Sequence, residues 1–277
     1  MVNIGRFLKT LIIVVVTTII VTAYVSYGLI GVVNSQGEQE KPKTPTPTPK
    51  PVIARTQTPI IKNNGIKKIQ KKDNGQLKLE MVWRGSIHKK EVALTFDDGP
   101  SPKTTEKILK ILKDNNIHAT FFVIGKNAER FPKLLKEIVD AGNEVGNHSY
   151  SHPNSLLLSP SKLRQELSKT DKLITKITGK KPKFFRPPSG NFGYNLSFIA
   201  ASLKYTMVLW WIDTYDWKEP GKEKIMEIIK YHLTNGAIIL MHENHKTTIE
   251  VLPELIKYVK SKGFKFVTLS QLLDKNG

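Results

Sequence analysis

Short apolar runs alternate with amphipathic segments through the C-terminal two hundred residues of the chain. The apolar runs contain almost no polar side chains, as expected of parallel strands that are buried on both faces of a sheet. They lie at residues 92–96, 120–124, 207–212 and 237–241. The segments with helical periodicity lie at residues 104–114, 133–140, 160–178, 222–232 and 249–261. Such alternation predicts an α/β fold, either a barrel or a doubly wound sheet.

Weaker strand signals complete the alternation at residues 144–146, 184–185 and 264–267. With these, we count seven strand–helix steps. The segment 160–178 has the clearest helix start, because Ser159 is a favoured N-cap residue and Pro160 is favoured at the first helical position. We expect this helix to bury a stripe of leucine and isoleucine side chains against the sheet.

The N-terminus has the character of a membrane anchor. Residues 10–37 carry no charged side chain, and this length can span a bilayer as a helix. The alternative is a cleaved signal peptide, but its apolar region is usually shorter and ends in a small-x-small site. Arg6 and Lys9 precede the stretch, whereas Glu38 and Glu40 follow it. By the positive-inside rule, we expect residues 1–37 to form a cytoplasmic tip with a transmembrane helix, and the remainder to be extracellular.

Residues 38–76 are predicted to be a disordered linker. Residues 41–51 read KPKTPTPTPKP, and proline at alternate positions holds a chain near polyproline II geometry. Residues 40–90 carry 13 basic and 3 acidic side chains, so more than half of the net charge of +19 lies in this region. A basic tail attracts any polyanion, so the charge does not predict specific nucleic-acid binding. A single folded domain is predicted to occupy residues 77–277.

Polar residues that could act as metal ligands, acids or bases follow directly after the predicted strands. In a parallel α/β barrel, the carboxyl ends of the strands meet at one rim, where active sites are built. The chain has no cysteine, so any metal must be held by histidine or carboxylate side chains. The candidates are Asp97, Asp98, His148, His152, Arg186, Asp213, Asp216 and His242.

Two of these histidines and one aspartate would form a divalent metal site. His148 and His152 are four residues apart, so one turn of helix or a tight loop can direct both rings at one point. Two imidazoles and a carboxylate suit Zn²⁺ and similar ions and leave positions for water and substrate. Either aspartate of the 97–98 pair could be the ligand, and the other would be free to act as a base. The same donor set also occurs in non-haem iron oxygenases, which have no need for a second aspartate or for His242.

Five segments in this order resemble the motifs of the NodB-homology polysaccharide deacetylases, carbohydrate esterase family 4 (CE4). They are TFDDGP (95–100), HSYSH (148–152), RPPSG (186–190), DTYDW (213–217) and ILMH (239–242). The bacterial peptidoglycan N-acetylglucosamine deacetylases are the most similar members. The resemblance spans residues 79–274 and implies a distorted (β/α)₇ barrel.

The resemblance also implies a role for each matching residue. Asp98, His148 and His152 would hold Zn²⁺ or another divalent ion such as Co²⁺. Asp97 would be the general base that deprotonates the attacking water, and Arg186 would pair with it.

Further implied roles concern the leaving group and the substrate. Asp216 would position His242, the general acid that protonates the departing amine. The oxyanion would lie between the metal and the backbone N–H of Ser189, beside Pro188, while Trp217 and Leu240 would line the acetyl slot. Many family members have tyrosine where Ser189 stands, so the shape of the substrate groove is expected to differ.

The expected function is hydrolysis of the acetamide of N-acetylglucosamine residues in peptidoglycan. Chitooligosaccharide, muramic acid and acetylxylan stay open as substrates, and a catalytically silent wall-binding module is the alternative from another class. We expect a monomer anchored in the cell membrane through its N-terminal helix, with its catalytic domain facing the cell wall.

Overall fold

The computed structural model describes residues 66–69 and 79–274. No helix in these two ranges is both long and apolar enough to cross a membrane. The predicted anchor, residues 1–37, lies outside the described residues, as does most of the predicted linker. The domain boundaries at 37 and 76 therefore stay predictions.

Ten strands and eight α-helices are present in the described ranges. The strands are β1 (Ile66–Ile69), β2 (Leu79–Val82), β3 (Glu91–Asp97), β4 (Thr120–Val123), β5 (Glu144–Asn147), β6 (Phe184–Phe185), β7 (Thr206–Val208), β8 (Ile212–Asp213), β9 (Ile238–His242) and β10 (Lys265–Phe266). The helices are α1 (Thr105–Asp114), α2 (Gly125–Arg130), α3 (Pro132–Asp140), α4 (Pro160–Thr178), α5 (Tyr194–Ser202), α6 (Lys222–His232), α7 (Lys246–Ser261) and α8 (Leu269–Leu272).

The strands form one curled, mainly parallel sheet. Its order is β1-β2-β7-β6-β5-β4-β3-β9-β8, with β10 beside β3, and every strand pair is parallel except β1 with β2. The α/β prediction is confirmed. The ladder of the described strands does not close into a ring, so the sheet is an open half-barrel rather than a complete one.

The opening of the barrel explains why one predicted strand is wrong. Residues 207–212 were expected as a single strand, but the structure divides them between β7 and β8. The amide of Leu209 donates to the Val82 carbonyl at 2.8 Å, whereas the amide of Trp211 donates to the Ile238 carbonyl at 2.9 Å. The apolar run therefore passes from one side of the opening to the other, which periodicity alone does not reveal.

The first strand also differs from expectation. Strand β1 lies inside the segment predicted as linker and pairs antiparallel with β2, with Ile66 opposite Val82. Its sequence, IKKI, has two lysines within a basic and polar region, so composition alone indicates linker. A short strand at the edge of a sheet tolerates lysine well, because one side of it faces solvent.

Helix α4 confirms the clearest helix prediction. The Ser159 hydroxyl accepts a hydrogen bond from the Lys162 amide at 3.4 Å, and Pro160 is the first helical residue. The helix ends at Gly179, whose φ of 73° is the left-handed conformation that glycine adopts without strain. Leu163 and Leu167 are buried as expected. Helices α2, α5 and α8 were not predicted; α2 and α8 are short, and the apolar residues of α5 lie on all its sides.

Candidate active site

The polar candidates meet at the carboxyl-terminal end of the sheet. The register places Asp97, the last residue of β3, beside His242, the last residue of β9. Asn147, directly before His148, pairs with Phe185, directly before Arg186. The expected convergence on one rim is therefore observed.

A buried ion pair joins Asp97 and Arg186. The Arg186 guanidinium is fully buried and donates to Asp97 Oδ1 at 2.8 Å and to Thr95 Oγ1 at 2.9 Å. It also donates to the carbonyls of Val208 at 3.3 Å and Leu209 at 3.0 Å. Burial lowers the pKa of Arg186, and the charge of Asp97 opposes this change. Asp97, the base candidate, is thus held beside the Arg186 guanidinium, which makes four hydrogen bonds to buried acceptors.

Asp98, His148 and His152 form a candidate metal-ligand set. Each offers one donor atom, and the three atoms lie within 4.8 Å of one another. Asp98 Oδ1 is 3.6 Å from Nε2 of His148 and 3.5 Å from Nε2 of His152. This oxygen is buried without a hydrogen-bond partner within the described part of the chain. A buried carboxylate oxygen without a partner is costly unless a cation satisfies it, so the set fits a divalent ion.

The geometry also distinguishes the two aspartates. One oxygen of Asp97 is taken by Arg186, whereas Asp98 lies between both histidine rings. Asp98 has a φ of 75°, so the backbone turns its side chain away from the direction that an extended strand would give. Asp98 is therefore the ligand candidate and Asp97 is the base candidate.

The His148 ring is oriented for metal binding. Its Nδ1 contacts the Arg186 carbonyl at 2.8 Å, so the proton belongs on Nδ1 and the Nε2 lone pair faces Asp98. Burial lowers the pKa of His148, and the charges of Asp97 and Asp98 oppose this. A neutral imidazole with its second nitrogen hydrogen-bonded is the form that binds metal ions.

A second ion pair, between His242 and Asp216, lies across the rim. Nδ1 of His242 is 2.8 Å from Oδ1 of Asp216. The other carboxylate oxygen, Oδ2, accepts hydrogen bonds from the His242 amide at 2.6 Å and from the Thr248 hydroxyl at 2.5 Å. Burial by itself raises the pKa of Asp216, but the hydrogen bonds from His242 and Thr248 outweigh it and lower that pKa. Asp216 therefore holds the imidazole in one orientation and stabilises its charged form.

The charge state of His242 follows from the same contacts. Burial lowers its pKa, but the hydrogen bond to Asp216 and the charges of Asp97, Asp216 and Asp98 outweigh burial and raise the pKa to about 9. His242 is therefore a protonated donor at neutral pH, as a general acid must be before it gives up its proton.

The predicted oxyanion and substrate residues lie beside these pairs, Pro188, Ser189 and Trp217 in short turns and Leu240 on β9. Ser189 has a φ of 55° in the turn Pro188–Gly190, which follows Arg186 by two residues. Leu240 is buried on β9, and Trp217 is 46% exposed with its amide donating to Asp216 Oδ1 at 3.1 Å. Trp217 and Leu240 are thus placed near the Asp216–His242 pair.

One buried acid near the site was missed from the sequence. Glu243 is fully buried, and its carboxylate accepts a hydrogen bond from the Thr105 hydroxyl at the start of α1. Its amide donates to the Asp97 carbonyl at 2.8 Å, and its side chain lies against Gly99 so closely that a Cβ there would overlap it. Burial, with help from the charge of Asp98, raises the pKa of Glu243 to about 7. Its position directly after His242 was the available signal.

The fold and the site together define an α/β protein with a candidate base paired with Arg186, a candidate acid paired with Asp216, and a candidate metal-ligand set. A polysaccharide deacetylase family profile matches residues 84–208. A peptidoglycan-N-acetylglucosamine deacetylase of Bacillus cereus is 38% identical over 199 residues, 70% of this chain and 72% of that protein. The peptidoglycan-N-acetylmuramic acid deacetylase PdaC of Bacillus subtilis is 37% identical over 76% of this chain but only 44% of its own length.

A solved structure shares the fold. A CE4 family pseudoenzyme from Bacillus anthracis superposes with a TM-score of 0.68 at 37% identity, covering 70% of this chain and 69% of that one. From these similarities, the chain belongs to the polysaccharide deacetylase family, CE4. Its relatives are named as peptidoglycan deacetylases, so the chain is a hydrolase of that family.

The two adjacent aspartates should respond differently to neutralisation. Asp97→Asn leaves the buried Arg186 charge without its counterion, so we expect the free energy of unfolding to fall by about 3–5 kcal/mol. Asp98→Asn is the matched control, because asparagine tolerates a positive φ and Arg186 is in contact with Asp97 rather than with Asp98. Urea unfolding of the metal-free protein measures both. Equal losses for the two variants would contradict the assignment of Asp97 as the partner of Arg186.

The elevated pKa of His242 should depend on Asp216. In the metal-free protein, NMR titration of His242 should show a midpoint near pH 9, and Asp216→Asn should lower it because the charged acceptor is lost. Since this folded-state pKa exceeds the unfolded value of about 6.5, the stabilisation is complete below pH 6.5 and is lost as pH rises through 9. Thr248→Val is the control, since it removes one hydrogen bond from Asp216 but keeps the charge. An unchanged midpoint in Asp216→Asn would contradict this account.

Proposed function

We propose that the chain is a metal-dependent N-deacetylase of an amino-sugar polymer, most specifically of N-acetylglucosamine residues in peptidoglycan. The observation that carries the proposal is the arrangement around Asp98, His148 and His152. A base paired with a cation and an acid paired with a carboxylate flank this set on the same rim. Amide hydrolysis needs both groups, because one proton leaves the attacking water and another must reach the departing amine.

The proton transfers follow from the two pairs. Asp97 accepts the proton of the attacking water, and Arg186, which donates to its Oδ1 at 2.8 Å, holds the carboxylate in place. The C–N bond of the tetrahedral intermediate then breaks while His242 donates its proton to the sugar amine, with Asp216 stabilising the imidazolium beforehand. The products are acetate and a free amino sugar. The Ser189 amide would contribute a hydrogen bond to the developing oxyanion.

The ligand set favours zinc or another borderline divalent ion such as Co²⁺. Two imidazole nitrogens and one carboxylate oxygen, with no thiolate, leave coordination positions for water and substrate. Such an ion, when bound, acidifies water and polarises the acetyl carbonyl. An iron oxygenase is the less favoured function for this set, because it gives no role to Asp97 or to the Asp216–His242 pair.

The substrate rests on the relatives. One is named for N-acetylglucosamine and another for N-acetylmuramic acid of peptidoglycan, so muramic acid is the second candidate, ahead of chitooligosaccharide and acetylxylan. One relative is a pseudoenzyme, so the fold alone does not secure activity. This chain retains a base, an acid and three ligand side chains, which favours catalysis over a silent wall-binding module.

Acetate release tests the proposed function. The protein, incubated with peptidoglycan and a divalent metal, should release acetate; chelator should abolish the release, and Zn²⁺ or Co²⁺ should restore it. We expect Asp97→Asn and His242→Ala each to lower kcat by at least a hundredfold, because each removes a proton-transfer group. Lys246→Ala, an exposed change on α7, is the control. Absence of metal-dependent acetate release from every N-acetylated glycan would overturn the proposal.

We also propose that the protein is a monomer held on the outer face of the cell membrane by residues 10–37, with no specific nucleic-acid partner. The uncharged length of this stretch and its flanking charges support the proposal. Expressed in a bacterial host, the full chain should sediment with membranes and be digested by protease added outside the cells. A chain lacking residues 1–37 should remain soluble inside. Full-length protein found soluble in the cytosol would contradict the anchor.

A further inference from the structure

The two ends of the sheet differ in the charge of their loops. Six connections run from a helix into the next strand, at the amino-terminal end of the sheet. They are residues 115–119, 141–143, 179–183, 203–205, 233–237 and 262–264. Together they contain five lysines and no aspartate or glutamate. The connections at the active-site rim carry both signs, and Asp98, Asp216 and Glu243 are among them. The amino-terminal end is therefore a cationic face on the opposite side of the sheet from the rim.

Helix ends account for only part of this charge. Lysines near the carboxyl end of a helix bond its last carbonyls and offset their partial negative charge. Lys181 has such a role, because its Nζ donates to the Leu203 carbonyl at 3.3 Å and lies 3.7 Å from Asp171. Lys180 and Lys183 are exposed, and neither ammonium group has a hydrogen-bond or ion-pair partner in the ranges that the structure describes. These two cations are uncommitted.

The uncommitted lysines border a hollow of about 620 Å³, which we name the basal hollow. This volume is within the range of ligand-binding pockets. The polar side chains that line the hollow include three lysines, a histidine, a glutamate and a glutamine: Lys180, Lys181, Lys183, His118, Glu144 and Gln271. The hollow lies where β5 and β6 begin, whereas His148 and Arg186 follow where the same strands end. It is therefore separate from the candidate active site.

The basal hollow offers hydrogen-bond donors but no free carboxylate. Glu144 is the acidic residue among its described lining residues, and both of its oxygens are engaged. Oε2 accepts from the Ser270 amide at 3.0 Å and the Thr120 hydroxyl at 3.2 Å, and Oε1 accepts from the Ser270 hydroxyl. Oε1 of Gln271 accepts from the Thr268 amide at 2.9 Å, which leaves the Nε2 donors of Gln271 unused in the described ranges. Unused donors around one space favour an anion with several acceptor oxygens and no donor of its own, as a phosphodiester has.

A neighbouring hollow extends the cationic surface. It has a volume of about 560 Å³ and shares His118 and Asn143 with the basal hollow. Lys113 lines it, is exposed, and has no ion-pair partner in the described part of the chain. Asp140 also lines it, but its carboxylate is paired with Lys136. An anionic chain that occupies the basal hollow can therefore continue towards Lys113, which favours a polymer over a single ion.

The shape of the surface favours a linear polymer over an anionic membrane. A third hollow adjoins the basal hollow at Lys183 and is lined by Glu80 and Asp274, so the cations form a strip rather than a broad plane. Proteins that bind a membrane surface usually insert projecting apolar side chains into it. Val139 and Ile174 line the basal hollow from partly and fully buried positions, so they do not project in this way.

We propose that the basal hollow binds the phosphate groups of a linear phosphodiester polymer. Lys180 and Lys183 are its main contacts, and Lys113 extends the site along the polymer. The proposal goes beyond the proposed function and does not depend on hydrolytic activity. Because the hollow and the rim lie at opposite ends of the strands, the polymer and a substrate can be bound at the same time.

Binding of the full chain to fluorescently labelled poly(glycerol phosphate), measured in neutral detergent micelles, tests the inference. In Lys180→Gln/Lys183→Gln, Kd should rise about tenfold, and the slope of log K against log salt should become shallower by about 1.4, roughly 0.7 for each lost phosphate contact. Lys172→Gln/Lys176→Gln is the matched control, because it removes the same charge from exposed positions of α4 that do not line the hollow. Its Kd should stay close to that of the wild type. The basic segment before residue 66 is present in every variant, so it does not contribute to the differences.

Three other outcomes would overturn the inference. An unchanged Kd in Lys180→Gln/Lys183→Gln, or an equal rise in both double variants, would mean that the hollow is not the binding site. An equal effect of the substitutions on binding of polyglutamate would show attraction to any polyanion and no phosphate site. Loss of polymer binding when phosphatidylglycerol is added to the micelles, with no loss when phosphatidylcholine is added, would identify an anionic lipid surface as the occupant instead.

Discussion

The buried pair of Arg186 and Asp97 is the interaction on which the site depends. Burying two charges costs several kcal/mol per ion, and the cost is recovered only when every donor and acceptor is matched. Arg186 offsets this cost with four hydrogen bonds, to Thr95 on β3, to Asp97, and to the carbonyls of Val208 and Leu209. Those carbonyls belong to the run that crosses the opening of the half-barrel. The same ion pair therefore positions the base candidate and joins β3 to the end of β7, at one side of that opening.

The backbone of Arg186 contributes as well. Its carbonyl contacts Nδ1 of His148 and determines which nitrogen faces Asp98. Across the rim, Oδ1 of Asp216 lies 2.8 Å from Nδ1 of His242. The carboxylate raises the pKa of His242 and so favours its protonated form. Each candidate proton-transfer group is therefore held by a buried partner of opposite charge, Asp97 by Arg186 and His242 by Asp216.

Function resides in this site and not in the fold. A pseudoenzyme shares the architecture with a TM-score of 0.68, so the parallel strands and their rim are compatible with both active and inactive chains. In general, loops vary more in sequence than the helices and strands they connect, because they contribute little to core packing. In this chain the loops after His152 and Ser189 carry neutral and apolar residues.

The sequence by itself determined the α/β class, the boundaries of α4 and α6, and the residues that converge on the rim. Apolar periodicity and the position of a polar residue directly after a strand can both be read from neighbouring residues in the chain. The family resemblance already implied Asp98 as ligand and Asp97 as base, but only the tertiary structure showed a physical reason, since that reason is Arg186, which is 89 residues away from Asp97. It also divided residues 207–212 between β7 and β8, buried Glu243 against Gly99, and joined the loops after His152 and Ser189 through the Ser155–Asn191 hydrogen bond. Each of these depends on a partner distant in the chain, and a local pattern reports which face of an element is buried but not what it is buried against.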